Sequence, residues 1–168
     1  SQSGPGSPIV VTGLTNGTPV TCTVIATNGV GNSAPSAASN SVTPATVPNA
    51  PTIGVATAGN AQISVSFTPP ANNGGSAITG YTATCGAQSQ SGPGSPIVVT
   101  GLTNGTPVTC TVIATNAVGN SAPSAASNSV TPATVPNAPT IGTATAGNAQ
   151  VSVAFTPPAN NGGSAITG

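Results

Sequence analysis

The most reactive side chains in this 168-residue sequence are the three thiols of Cys22, Cys85 and Cys110. A catalytic thiol needs a neighbouring base or positive charge that lowers its pKa, and the sequence has no Lys, Arg, His, Asp or Glu to supply one. Zinc is disfavoured as well, because the thiols lack Cys-x-x-Cys spacing and no His could complete a ligand set. The sequence therefore predicts neither a catalytic residue nor a metal ligand at these thiols.

The absence of Lys, Arg, His, Asp and Glu removes whole classes of function. General acid–base catalysis near neutral pH needs a group that exchanges protons, and the many Ser and Thr hydroxyls have no base to activate them. Nucleic-acid binding needs a basic surface, and calcium binding needs carboxylate oxygens. No apolar run is long enough to span a bilayer, so no membrane insertion is expected. We therefore predict a protein that is not an enzyme and that uses no cofactor, calcium, nucleic acid or membrane span.

The sequence repeats itself at an offset of 88 residues. Residues 1–80 overlay residues 89–168 without a gap, and only four of the 80 pairs differ. A period of 88 residues is too long for a solenoid repeat and suits one independent β-domain per repeat. We therefore predict a complete domain at residues 47–134, preceded at 1–46 by the C-terminal part of one domain and followed at 135–168 by the N-terminal part of another.

Short strands separated by turn signals fill the whole period. Pro and Gly, 18 and 22 residues respectively, recur every few positions and exclude long helices. In Gln62–Thr68, apolar and polar residues alternate strictly, which is typical of a strand with one buried face. About seven strands and a β-sandwich are expected. The strands located from the pattern lie at 52–57, 62–68, 78–85, 96–100, 108–116 and 125–131.

Several of these segments together resemble fibronectin type III domains of the bacterial kind. The resemblance covers the whole chain and implies tandem seven-stranded immunoglobulin-like sandwiches, with strands A, B and E facing strands C′, C, F and G. Two core positions depart from the family pattern, because Phe67 stands where Trp is usual and Val108 where Tyr is usual. The residues that carry the resemblance are Ser66–Pro70, Gly74–Tyr81, Val99–Thr106, Thr111–Asn116 and Asn128–Pro132.

The topology implied by the resemblance makes strands C and F antiparallel neighbours. Cys85 then lies at the end of strand C beside Cys110 at the start of strand F, within disulfide range. Cys22 is the repeat equivalent of Cys110, so its partner would lie outside the sequence. The alternative is a bridge between chains. A disulfide would indicate an oxidising compartment, and we expect an extracellular or cell-surface location.

Two further patterns lie between the strands. Asn16-Gly17-Thr18 and Asn104-Gly105-Thr106 match the N-glycosylation pattern, although Asn-Gly between strands is also a turn signal. Proline-rich stretches at 43–51 and 131–139 favour an extended, semi-rigid linker between domains. The prolines of these linkers are Pro44, Pro48, Pro51, Pro132, Pro136 and Pro139.

These expectations favour a structural subunit of an extracellular filament, sheath or stalk. Zero net charge removes long-range repulsion, and edge strands without Lys are open to pairing, so self-association is expected. The alternative is a non-catalytic spacer or adhesion array that presents a distant binding or catalytic domain. A carbohydrate-binding module is a third possibility, with Tyr81 the one aromatic candidate for sugar stacking, although packing within the sheets explains this residue as well.

Overall fold

A computed structural model describes residues 1–168 as an all-β protein without helices. Its centre is a sandwich of two three-stranded antiparallel sheets, and a separate two-stranded hairpin follows. No helix long and apolar enough to cross a membrane occurs in the chain. The strands are β1 (Thr52–Gly59), β2 (Gln62–Thr68), β3 (Ile78–Cys85), β4 (Gln88–Gly92), β5 (Ile97–Thr100), β6 (Cys110–Asn116), β7 (Thr140–Gly147) and β8 (Gln150–Thr156).

Each sheet of the sandwich has a strand of alternating burial at its centre. In the first sheet, β2 lies between β1 and β5, and in the second, β3 lies between β4 and β6. Residues alternate between buried and exposed along β2, β3 and β6, because successive side chains of a strand point to opposite faces. The polar strand β4 and the bulged strand β1 lie at sheet edges.

The core fills the space between the two sheets with small apolar side chains and one aromatic pair. Phe67 from β2 packs against Tyr81 from β3, with ring centroids 4.8 Å apart and planes inclined at 49°. Tyr81 is therefore part of the core, which leaves no exposed aromatic ring in the sandwich for sugar stacking. The remaining apolar core residues are Ala56, Ile63, Val65, Ala83, Cys85, Ile97, Val99, Leu102, Cys110, Val112, Ala114 and Val130.

The strands predicted from the sequence differ from the structure at three places. The prediction of a strand at 125–131 is wrong, since only a single bridge between Val130 and Val108 forms there. Regular pairing in the predicted strand at 108–116 begins at Cys110 rather than at Val108. The pattern did not locate β4, whose sequence Gln-Ser-Gln-Ser-Gly has no apolar alternation. The sandwich consequently has six regular strands, not seven.

The segments on either side of the sandwich repeat parts of it. The hairpin of β7 and β8 has the same register and the same bulge as the hairpin of β1 and β2. Near the other end, the bridge between Val20 and Val42 repeats the bridge between Val108 and Val130. The apolar face of β8 is uncovered, so Phe155 is 62% exposed, whereas its equivalent Phe67 is 6% exposed.

Candidate functional site

The disulfide of the protein joins Cys85, the last residue of β3, to Cys110, the first residue of β6. The two residues are direct partners in the antiparallel register, with Cα atoms 4.2 Å apart, and both are fully buried. Cys22 is exposed and unbonded. The bridge therefore ties the central strand of one sheet to its neighbour within the core and has no access to a substrate.

Serine side chains take the place of a seventh strand along the free edge of β6. Ser124 donates its N–H to the Val112 carbonyl (2.9 Å), and its Oγ accepts the Val112 N–H (3.0 Å). The Ser124 hydroxyl also donates to the Ala125 carbonyl at 2.7 Å. Ser121 makes the same set of bonds with Ala114, and Ser127 makes it with Cys110. We call these three residues the serine ladder.

The serine ladder explains why the predicted last strand does not form. The segment advances three residues for every two residues of β6, so ordinary ladder pairing is lost and each serine hydroxyl supplies the missing acceptor. Buried N–H groups of β6 are satisfied in this way, as buried polar groups must be. Ser33, Ser36 and Ser39 repeat the arrangement on Ala26, Val24 and Cys22.

The turn at Asn104 and Gly105 is held by hydrogen bonds to the tip of the hairpin of β1 and β2. The Asn104 side-chain carbonyl accepts the Ala61 N–H (2.8 Å), and its amide nitrogen donates to Asn60 Oδ1 (2.9 Å). Gly105 donates its N–H to the Pro132 carbonyl at 2.8 Å. The nitrogen that a glycan would modify is thus engaged within the fold, and Asn104 serves as a turn residue.

The loop that follows β2 contacts the segment before the sandwich. We call Asn72–Gly75 the diglycine loop. Its Asn72 and Asn73 side chains accept the N–H groups of Gly74 and Gly75, forming two successive Asx turns. The Gly74 carbonyl accepts the Thr46 N–H (2.8 Å), and the Asn72 carbonyl accepts the Asn49 N–H (3.0 Å). The loop is therefore bonded to the linker rather than free in solvent.

A buried asparagine completes this contact. Asn116, the last residue of β6, donates its side-chain amide to the Thr46 carbonyl (2.8 Å) and to the Asn73 carbonyl (2.9 Å). Its side-chain oxygen accepts the N–H groups of Val118 and Gly119. All of the hydrogen-bonding capacity of the amide is used, so Asn116 fixes the linker, the diglycine loop and the end of β6 to one another.

The six linker prolines occupy different environments. Pro48 and Pro51 are buried against the sandwich, and so is Pro132 at its other end. Pro44 is partly buried and accepts the Gly17 N–H through its carbonyl at 2.9 Å. Pro136 and Pro139 are exposed. Both linkers thus combine fixed φ angles at proline with hydrogen bonds to the loops on either side.

The rest of the surface is uncharged and presents hydroxyl groups, amide groups and exposed apolar side chains such as Val10, Val55 and Val118. No three His, Cys, Asp or Glu side chains come together in a group that could hold a metal ion. Two of the surface depressions are shallow, one lined by Thr84, Pro107 and Thr111 and the other by Thr79, Thr82 and Ser91, among other residues. These groups offer hydrogen bonds and no proton transfer at neutral pH.

Sequence reasoning missed two sets of residues that the structure makes important. The serine ladder has a signal in the sequence, a serine at every third position, but this spacing fits neither a strand nor a helix. The glycines of the diglycine loop read as an ordinary turn, and only the position of the linker shows that they are contacts.

One family model matches the central sandwich. The family model described as the fibronectin type III domain matches residues 49–130. No curated protein sequence matches the chain.

Several solved structures share parts of the fold. Domains from titin are 26% identical, with a TM-score of 0.49, covering 55% of this chain and 35% of theirs. The twitchin kinase region from C. elegans is 23% identical, with a TM-score of 0.47, covering 51% of this chain and 17% of its own. The FN1-FN3 domains of chicken CNTN1 are 18% identical, with a TM-score of 0.44, covering 68% of this chain and 44% of theirs. The chain spans less than half the length of each of these structures.

Proposed function

From the fibronectin type III domain that residues 49–130 form, we propose that this protein is a structural subunit of an extracellular scaffold. In this proposal the sequence is part of a tandem array, with a complete domain at 47–134 and parts of two near-identical neighbours at 1–46 and 135–168. The array builds a filament, sheath or stalk. The supporting observation is a period of 88 residues that is almost perfectly repeated and contains no Lys, Arg, His, Asp or Glu.

The surface chemistry supports a role in association. A fibronectin type III domain is a general scaffold without catalytic groups of its own, and here its exposed strands carry Ser, Thr, Gln and Asn. The edge strand β4 presents Gln88, Ser89, Gln90 and Ser91 to solvent without a single Lys. Charges on edge strands normally block pairing with another chain. The uncharged edge therefore favours lateral contact between copies.

The disulfide supports an extracellular location. Buried disulfides form and persist in oxidising compartments, and Cys85–Cys110 is fully buried. It also offsets the small size of a core that has only two aromatic rings.

The test is the assembly of the purified, oxidised chain. We expect sedimentation velocity and negative-stain electron microscopy to show elongated assemblies that grow with protein concentration. The substitution Gln90→Lys places a charge on the edge strand β4, at the residue that pairs with Ala83 of β3. We expect this charge to reduce assembly.

A matched variant distinguishes the effect of a charge on the edge strand from the effect of net charge alone. Val30→Lys adds the same charge at a residue that is 99% exposed and outside the regular strands, so assembly should persist. A parent chain that stays monomeric at every concentration would contradict the filament proposal and favour the spacer or adhesion array.

A further inference from the structure

We propose that the turn Asn104–Gly105 and the diglycine loop are the two halves of an end-to-end interface that accepts only another copy of this domain. The inference rests on the proposed tandem array and specifies how consecutive domains are joined. We call the contact of this turn with the diglycine loop of the following copy the glycine joint. It was not expected from the proline-rich linker alone.

The glycine joint occurs twice in the chain, and each time the linker beside it makes the same hydrogen bonds to the turn and to the diglycine loop. At the first joint, Gly17 donates to Pro44, Thr46 donates to Gly74 and Asn49 donates to Asn72, at 2.9, 2.8 and 3.0 Å. At the second, the equivalent bonds run from Gly105 to Pro132, from Thr134 to Gly162 and from Asn137 to Asn160, at 2.8, 2.8 and 3.1 Å. Two consecutive joints with one geometry imply a constant angle between neighbours.

Both sides of the joint require glycine. Gly74 and Gly75 have φ angles of +75° and +84°, a region that residues with a Cβ rarely adopt. A Cβ at Gly74 would lie 2.6 Å from the Val47 carbonyl oxygen, and one at Gly75 would lie 2.8 Å from the Gly17 Cα. At the second joint, a Cβ at Gly163 would lie 2.8 Å from the carbonyl carbon of Asn104. The obstacles are backbone atoms, which cannot rotate away as a side chain can.

The opposing turn has the same left-handed backbone, but its contacts across the joint are less severe. Gly17 and Gly105 have φ angles of +82° and +83°. A Cβ on either would lie 3.1 or 3.2 Å from the Cα of the facing glycine, Gly75 or Gly163. The backbone of one glycine therefore meets the backbone of the other across the joint. At the second joint the Asn104 side chain lies beside this contact, and its Cβ would be 2.9 Å from a Cβ on Gly163. The partner it fits is a loop with two adjacent glycines preceded by two asparagines, which in this chain is the following copy.

The experiment compares the parent chain with Gly163→Ala, which leaves the sequence of the central domain unchanged. Residual dipolar couplings report the orientation of β7 and β8 relative to β2 and β3. In the parent, a single alignment tensor should fit both groups. In Gly163→Ala, the two groups should need separate tensors, and the exchange of the Thr134 and Asn137 amide protons should rise about tenfold or more.

The control is Gly101→Ala, which imposes the same backbone strain away from the joint. Gly101 has φ +78°, and a Cβ there would meet only the Gln88 side chain, at 3.7 Å. This variant should keep the shared tensor. Slow exchange of the Val112 amide proton in all samples shows that the sandwich is folded.

The possible outcomes separate the joint from the proposed function. Separate tensors in the parent, or a shared tensor in Gly163→Ala, would overturn the glycine joint. Assembly is scored on the same samples. A parent with a shared tensor that does not assemble would contradict the filament while supporting the joint.

Discussion

At the scale of single residues, serine hydroxyls replace backbone carbonyls as the acceptors for N–H groups along β6. The edge of the sandwich depends on these hydrogen bonds. Each serine of the ladder receives one N–H from β6 and returns one N–H to it. Ser121 and Ser124 are buried, so water cannot replace their hydroxyls. The serines of the ladder therefore have a structural role and are not candidate nucleophiles.

Removal of one hydroxyl should therefore destabilise the sandwich. In Ser124→Ala the buried N–H of Val112 loses its acceptor, and an unsatisfied buried donor costs about 1–3 kcal/mol. Urea denaturation followed by circular dichroism measures the change in the free energy of unfolding. Ser36→Ala is the matched control, because Val24, which bonds to it, is 59% exposed and can turn to water. Equal effects of the two substitutions would contradict the role assigned to burial.

The disulfide is the second residue-scale feature that a measurement can isolate. The bridge closes a sequence separation of 25 residues, and the double variant Cys85→Ala/Cys110→Ala should lose about 3 kcal/mol of unfolding free energy through the restored entropy of the unfolded chain. Cys22→Ala should leave the stability of the sandwich unchanged, since Cys22 is exposed and unbonded. A double variant as stable as the parent would show that the bridge contributes nothing to folding.

At the scale of elements, the same strand sequence is buried in one place and exposed in another. β2 and β8 differ at only two of their seven residues, Ile63/Val151 and Ser66/Ala154. β2 is covered by the sheet of β3, whereas the face of β8 has no sheet over it. Both segments form strands because they share β-branched residues and the same alternation of apolar and polar side chains. Whether their apolar side chains are buried depends on packing against a second sheet.

This difference predicts unequal effects of one substitution. Phe67→Ala removes a ring that packs against Tyr81 and should cost about 3–5 kcal/mol. Phe155→Ala, at the equivalent position of β8, should change the unfolding free energy of the sandwich by less than about 0.5 kcal/mol. Thermal and urea unfolding of the two variants give the comparison. A large effect of Phe155→Ala would mean that β8 is covered in solution.

At the scale of the whole molecule, the absence of charge would determine which forces act between copies in the proposed array. Side chains contribute no long-range repulsion or steering, so contacts depend on short-range hydrogen bonds and on shape. The glycine joint needs no charged side chain, because the hydrogen bonds of the linker at the joint are between backbone groups. A chain of such joints would be as regular in acid as at neutral pH.

The pH dependence of stability follows from the composition. Stability changes with pH only where the folded and unfolded states bind different numbers of protons. With no Asp, Glu or His, that difference is close to zero between about pH 3 and 8, and the melting temperature should be nearly constant over this range. Differential scanning calorimetry across the range is the measurement. A steep loss of stability in acid would show that this reasoning is wrong.

The sequence by itself determined the all-β class, most of the strands, the repeat and the neighbouring positions of Cys85 and Cys110. Alternation, turn residues and the family resemblance are local or one-dimensional signals, and Gln62–Thr68 carries them without conflict. These signals failed at two places. The edge strand β4 is polar and has no alternation of apolar residues. The predicted last strand has a serine at every third position, and these serines bond to β6 with their hydroxyls as well as their backbone N–H groups.

Only the tertiary structure decided the serine ladder and the glycine joint. Gly17 meets Gly75 across a separation of 58 residues, and Ser124 matters only because the Val112 N–H is buried beside it. Such roles arise from which backbone atoms come within contact distance after folding. The type of a residue and its position in the sequence do not give the distance between backbone atoms that are far apart along the chain.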